Sequence, residues 1–137
     1  MSVSILVVDD EDDVADLFRQ SFRREVRDGI YVMHFAYSAS AALTLLSAGV
    51  EPPLIVILSD INMPGMDGFD LLGEINRRWP KLPVIMVTAY GDDERRRRAS
   101  ELEALEFLTK PVDFNYLKAQ LQGLPNDRRL TNRFGLE

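Results

Sequence analysis

The stretch Leu54-Ile55-Val56-Ile57-Leu58-Ser59-Asp60-Ile61-Asn62-Met63-Pro64-Gly65-Met66-Asp67-Gly68 decides how this chain folds. An apolar run without alternation reads as a strand buried on both faces, the pattern of parallel sheets. Pro64, Gly65 and Gly68 then mark a loop. Asp60 stands at the carboxyl end of that strand, where open α/β sheets gather their chemistry. A second acidic pair, Asp9-Asp10, follows the apolar run Ile5 to Val8. Two strand-end acid groups in one small domain point to a divalent-cation site. At its centre stands an aspartate acting as nucleophile or ligand.

Outward from this stretch, short apolar runs alternate with longer helical patterns, which predicts a parallel α/β sheet. The strands read as residues 3–8, 30–36, 54–59, 83–88 and 104–109. Val14, Leu17, Phe18 and Phe22 recur at helical spacing, and Gly29 ends that segment. Ser38 or Ser40 is placed to cap a second helix through Ala41, Leu43, Leu45 and Leu46, stopped by Gly49. A third helix begins at Asp67 or Gly68 and closes by Pro80. The fourth, about Asp92 to Leu102, is almost wholly charged in its first half. The fifth carries Phe114, Leu117 and Leu121 and ends near Gly123. Residues 1–123 therefore read as one domain, and 124–137, mostly polar, as a tail or a truncated linker.

The 137 residues are enough for a core of ordinary size. A net charge of −6 argues against direct nucleic-acid binding, which normally needs a basic surface. With no cysteine there is no disulfide framework and no thiolate chemistry. No stretch approaches the roughly 18 apolar residues of a membrane span, and no basic n-region opens the chain. The expectation is a cytoplasmic protein.

Right-handed crossovers bring all five strand ends to one rim. That rim receives Asp9 and Asp10 from the first strand and Tyr37 and Ser38 from the second. Asp60 comes from the third, Thr88 and Ala89 from the fourth, and Thr109, Lys110 and Pro111 from the fifth. Three close carboxylates raise one another's pKa unless a cation joins them. A few hard oxygen donors suit Mg²⁺, which keeps several waters and accepts a phosphate in its shell. Lys110 and Thr88 would hold the remaining phosphoryl oxygens. Asp60 would attack phosphorus in line and form an acyl phosphate.

Four segments, in this order and spacing, carry a family resemblance: Ile5-Leu-Val-Val-Asp9-Asp10-Glu11, Ser59-Asp60-Ile-Asn-Met-Pro-Gly-Met-Asp-Gly68, Val87-Thr88-Ala-Tyr90 and Phe107-Leu-Thr-Lys110-Pro111. Over about residues 3–122 the chain resembles the receiver domain of bacterial two-component response regulators. The resemblance implies a flavodoxin-like, doubly wound (βα)5 fold of five parallel strands in the order 2-1-3-4-5. It implies a phosphorelay switch rather than an enzyme, with Asp60 taking a phosphoryl group from a sensor histidine kinase or a histidine phosphotransfer protein. Mg²⁺ would be held by Asp10 directly, Asp9 mostly through water, Asp60, and the backbone carbonyl of Asn62. The backbone of Ala89 would contact the phosphoryl group, Lys110 would pair with it, and Thr88 would follow it inward. The Lys110-Pro111 bond would be cis. Phe107 occupies the aromatic switch position without a hydroxyl, so its coupling would rest on packing. Glu103 stands where many receivers carry glycine before the last strand. Tyr90, two residues past Thr88, would slow the approach of hydrolytic water. The face of fourth helix, fifth strand and fifth helix would meet a downstream target, a fused effector or a second copy.

Blander and rival readings stand beside these. Asp12 and Asp13 read as acids at a helix N-terminus, and Arg95 to Arg98 as a solvated face before a partner surface. His34 reads as a core or edge strand residue, and Trp79 as packing over a helix end. Gly65 and Gly68 read as turn residues, since no phosphate-loop motif is present. A haloacid-dehalogenase-type phosphatase also uses a strand-end aspartate with Mg²⁺, but wants a second aspartate where Asn62 stands. A Ca²⁺ loop starting at Asp60 would need oxygen ligands at Pro64 and Leu71, and fails.

Overall fold

The computed structural model describes residues 2–124. The expected tail therefore lies outside the described residues, apart from Leu124, which is buried against the core. Five strands, β1 (Val3–Val8), β2 (Tyr31–Ala36), β3 (Leu54–Asp60), β4 (Val84–Thr88) and β5 (Glu106–Thr109), form one parallel sheet in the order β2-β1-β3-β4-β5. The helices between and after them are α1 (Asp12–Ser21), α2 (Arg23–Arg27), α3 (Ala39–Ala48), α4 (Gly68–Arg78), α5 (Asp93–Glu101) and α6 (Phe114–Gln122). The fold class and strand order are those expected.

The unbroken apolar runs are explained by the two-sided burial of the central strands. Ile5 and Val7 point into one cluster with Phe18 and Phe22 before β2 and Leu117 and Leu121 of α6. Leu6 and Val8 point into the other, beneath α3, α4 and α5. Each fully buried large side chain removes enough apolar surface from water to contribute about 1.5–3 kcal/mol. β5 lies at the sheet edge and is only partly buried. Its pairing starts at Glu106 rather than 104, because the Ala104 N–H closes α5 on the Ala99 carbonyl.

Local signals act where the residues predicted. Ser38 Oγ accepts the Ala41 N–H at the start of α3. Asp67 and Asp70 form a reciprocal capping box at the start of α4. Two features differ from expectation. The first helical segment breaks at Phe22, whose ring is fully buried against Phe18, Tyr31 and Phe114, and α2 follows as a separate turn. Leu17, which shares the helical spacing of Val14, Phe18 and Phe22, is 52% exposed while both rings are buried.

Glu103 has φ of 63°, a left-handed conformation that a side chain disfavours. Its N–H bonds the Ser100 carbonyl while that of Ala104 reaches Ala99. That pair of bonds is the Schellman ending of a helix, normally built on glycine. The Lys110-Pro111 bond is cis, and so is Glu51-Pro52. His34, on the edge strand β2, shares a hydrogen bond with Ser4 Oγ at 2.9 Å. Trp79 ends α4, with the Arg78 guanidinium over its ring. No helix among the described residues is long and apolar enough to cross a membrane.

Candidate functional site

The parallel strands deliver their carboxyl ends to one rim, as the crossovers require. Asp9 follows β1 and is 4% exposed, Asp60 ends β3 at 6%, and Asp10 beside them is exposed. One carboxylate oxygen from each of the three lies within 4.8 Å of the others. Lys110, just past β5, places Nζ 2.9 Å from Asp9 Oδ2 and 3.6 Å from Asp60 Oδ1. Thr88 is fully buried at the end of β4, and its Oγ1 accepts the Tyr90 N–H at 3.1 Å. The Lys110 N–H bonds the Thr88 carbonyl, which ties the last two strand ends together.

Of the other expected residues, Asn62 and Ala89 are exposed in the loops after β3 and β4. Phe107 lies within β5, partly buried against the α3–α5 side of the core, three residues before Lys110. Tyr90 is 59% exposed above the rim.

The charges at this rim are unequal in a telling way. Burial raises the Asp60 carboxyl from its ordinary 3.8 to about 6, and the neighbouring Asp9 charge pushes the same way. Lys110 and the Ile61 backbone N–H oppose the rise without cancelling it. Lys110 is itself desolvated, which favours its neutral form. Its hydrogen bond with Asp9 and the charges of Asp60, Asp9 and Glu11 outweigh that and hold it above its usual value. The rim therefore carries more buried negative charge than its one ammonium balances. Hard oxygen donors with a charge deficit match a small divalent cation.

Two contributors escaped the sequence reading. Glu11 brings Oε1 to 3.5 Å from Lys110, and its N–H bonds Asp9 Oδ1 at 3.0 Å. Its place directly after Asp9-Asp10 was the available signal. Gly68 was read as a turn residue, but a Cβ there would lie 2.2 Å from the Asp60 carbonyl oxygen and 2.7 Å from Ile61 Cα. Glycine lets α4 start directly against the backbone that carries Asp60, and its N–H bonds the Ile61 carbonyl at 2.8 Å. By contrast, Gly65, with φ of 76°, is the turn residue expected.

A family model described as response regulator receiver domain matches residues 5–122. The response regulator protein FleR of Pseudomonas aeruginosa is 38% identical over 113 residues, which are 82% of this chain but 22% of FleR. An uncharacterised 14.6 kDa protein of Leptolyngbya boryana is 44% identical over 114 residues, 81% of either chain. Among solved structures, the response regulator TrrA of Thermotoga maritima, in complex with Mg²⁺ and BeF, superposes with a TM-score of 0.74 at 29% identity. That match covers 88% of this chain and 96% of TrrA.

Proposed function

We propose, from the premise that this chain belongs to the family of response regulator receiver domains, that Asp60 is its phosphoryl acceptor. The observation carrying this reading is the buried Asp60 carboxylate, raised to about 6, among Asp9, Asp10 and Lys110 at one sheet rim. A carboxylate kept short of compensating charge is poised to gain from a cation and from a ligand that brings one.

Asp9, Asp10 and Asp60, with the backbone carbonyl of Asn62, would hold Mg²⁺. The ion would neutralise the acids and the phosphoryl oxygens. An Asp60 oxygen then forms a bond to phosphorus as the bond to the partner's histidine nitrogen breaks. The electron pair stays on the imidazole, which takes up a proton. Lys110 is close enough to shift from Asp9 and Asp60 to a phosphoryl oxygen, and the Ala89 backbone and Thr88 hydroxyl complete the contacts. Burial of Asp60 and Thr88 strengthens their contacts, because little water competes there. With one phosphoryl group taken up per chain, this is a switch that assists its own phosphorylation.

The receiver unit is read as residues 1–123, with 124–137 as a tail or truncated linker, and the match over 5–122 supports that division. A sensor histidine kinase or histidine phosphotransfer protein is the proposed donor. An apolar groove of about 510 Å³ lined by Val14, Leu17, Phe18, Val112 and Phe114 runs up to Lys110. It is where the donor's histidine-bearing element would lie. The output is read as a movement of α5, β5 and α6 toward a downstream protein or a fused effector. Self-association through the same face is checked by sedimentation with and without Mg²⁺ and beryllofluoride.

The deciding experiment is incubation with Mg²⁺ and a small acyl-phosphate donor, followed by intact-mass measurement. One added phosphoryl mass is expected, absent in Asp60→Asn and in chelator. Phosphorylation that survives in Asp60→Asn would end the assignment.

A further inference from the structure

Leu54 opens the strand that Asp60 closes, so the two stand at opposite edges of the sheet, about 20 Å apart at roughly 3.3 Å per residue. At the Leu54 edge lies an apolar groove of about 510 Å³. Leu46 of α3, Val50 just after it, Leu54, and Trp79 and Leu82 beyond α4 form its walls. That size and lining are those of small-molecule pockets, which add a few polar groups to orient what they hold. Here the charged groups are two cations, Arg78 and Lys81, and no acidic side chain among the described residues lines the groove.

The other arginines nearby in the sequence are engaged. Arg77 pairs with Glu74. On α5, Arg95, Arg96 and Arg98 lie over the rings of Tyr90, Phe107 and Phe69, and Arg97 pairs with Glu94 and Glu101. Arg78 is held in place without a carboxylate. Its guanidinium lies 4.5 Å from the centre of the Trp79 ring, and one nitrogen donates to Ser47 Oγ at 2.8 Å. Those contacts fix the planar group and leave it further N–H donors, in the fork that suits a carboxylate. Lys81, exposed in the turn after α4, has no carboxylate partner among the described residues either. A cation in the last turn of a helix offsets its dipole. That accounts for a charge at the end of α4, but not for the apolar hollow beside it, nor for Lys81 beyond the helix.

We propose that this groove binds a medium-chain aliphatic carboxylate, with its chain against the apolar walls and its headgroup on Arg78 and Lys81. In a chain of net charge −6, a hollow with two cations and no acid selects an anion. Its apolar walls select an anion with a hydrocarbon body, since a wholly polar one would leave them in water. The site is separate from the acid rim and does not rest on the phosphoryl-acceptor reading.

Trp79 is the chain's one tryptophan, so its emission reports on the groove. The metal-free chain is titrated with hexanoate, octanoate, decanoate and octan-1-ol, read by Trp79 emission and by calorimetry. Saturable binding of one equivalent is expected, with affinity rising about four- to fifteenfold for each two added methylenes. Octan-1-ol is expected to bind roughly fivefold more weakly than octanoate. In an Arg78→Gln/Lys81→Gln double variant, both positions being exposed, octanoate should fall to the affinity of octan-1-ol while the alcohol changes little. Backbone amide shifts at saturation should centre on residues 46–54 and 78–82. No saturable binding at millimolar octanoate, affinity independent of chain length, equal affinity for acid and alcohol in the wild type, or an acid preference kept by the double variant each overturn the proposal. Shifts centred on Val14, Leu17 and Lys110 overturn it too, because they place the carboxylate in the groove beside the acid rim.

Discussion

Replacing Asp60 by asparagine removes the charge that the fold holds at greatest disadvantage, so the variant should be more stable than the wild type. Each pKa unit corresponds to about 1.4 kcal/mol of difference between protonation states. A rise from 3.8 to about 6 thus sets a ceiling near ~3 kcal/mol. That ceiling is already net of the Lys110 attraction; an amide that does not reproduce every contact of the carboxyl lowers it, and about 1–3 kcal/mol is the expected gain at pH 8 in chelator. For a domain of this size that is roughly 3–10 °C in Tm. The sign follows from proton linkage. A carboxyl raised in the folded state binds more protons folded than unfolded between pH 3.8 and about 6. Wild-type stability therefore falls as pH rises through that window, and the penalty is absent below it. The advantage of Asp60→Asn should be greatest at pH 8 and vanish near pH 4. Millimolar Mg²⁺ at pH 8 should narrow it by stabilising the wild type more. Thermal or urea melts of both proteins at the two pH values, with and without Mg²⁺, measure all of this. Equal stability at pH 8, or the same gain at pH 4 and pH 8, would refute the electrostatic argument.

Three further perturbations address separate parts of the fold and site. Gly68→Ala forces a Cβ against the Asp60 carbonyl and Ile61 Cα. It should cost about 2–3 kcal/mol, seen as a lower urea midpoint with an unchanged slope; an unchanged midpoint contradicts the close approach. Glu103→Gly relieves a left-handed residue at the end of α5 and should raise stability by about 0.5–1 kcal/mol, read as a higher Tm. Tyr90→Ala should shorten the phosphoryl lifetime measured by intact mass after the donor is removed, since the exposed ring stands two residues past Thr88. Identical lifetimes would show that the ring does not screen water.

How much of this was legible beforehand varies by residue. The β3 run and Asp60 were legible because two-sided burial writes itself directly into composition. Once those strands are parallel, the gathering of Asp9, Asp10, Thr88 and Lys110 at one rim follows from crossover handedness. Caps at Ser38 and Asp67 were legible because they act over three residues. Leu17 was not, because helical spacing records a phase, whereas exposure depends on what later packs over it. The break at Phe22 depends on rings from β2 and α6 that lie far away in sequence.

Residue types and their order alone determined the parallel α/β class, the strand ends that carry chemistry and the family resemblance, since each rests on local burial pattern or motif spacing. Tertiary structure decided what depends on distance between remote segments. The 2.9 Å approach of Lys110 to Asp9, the raised Asp60 carboxyl and the place of Gly68 against the Asp60 carbonyl are of that kind. So is the seating of the α5 arginines on three rings. A charge run reads as solvated in one dimension, and only the packed chain shows which of its cations have a surface to rest on.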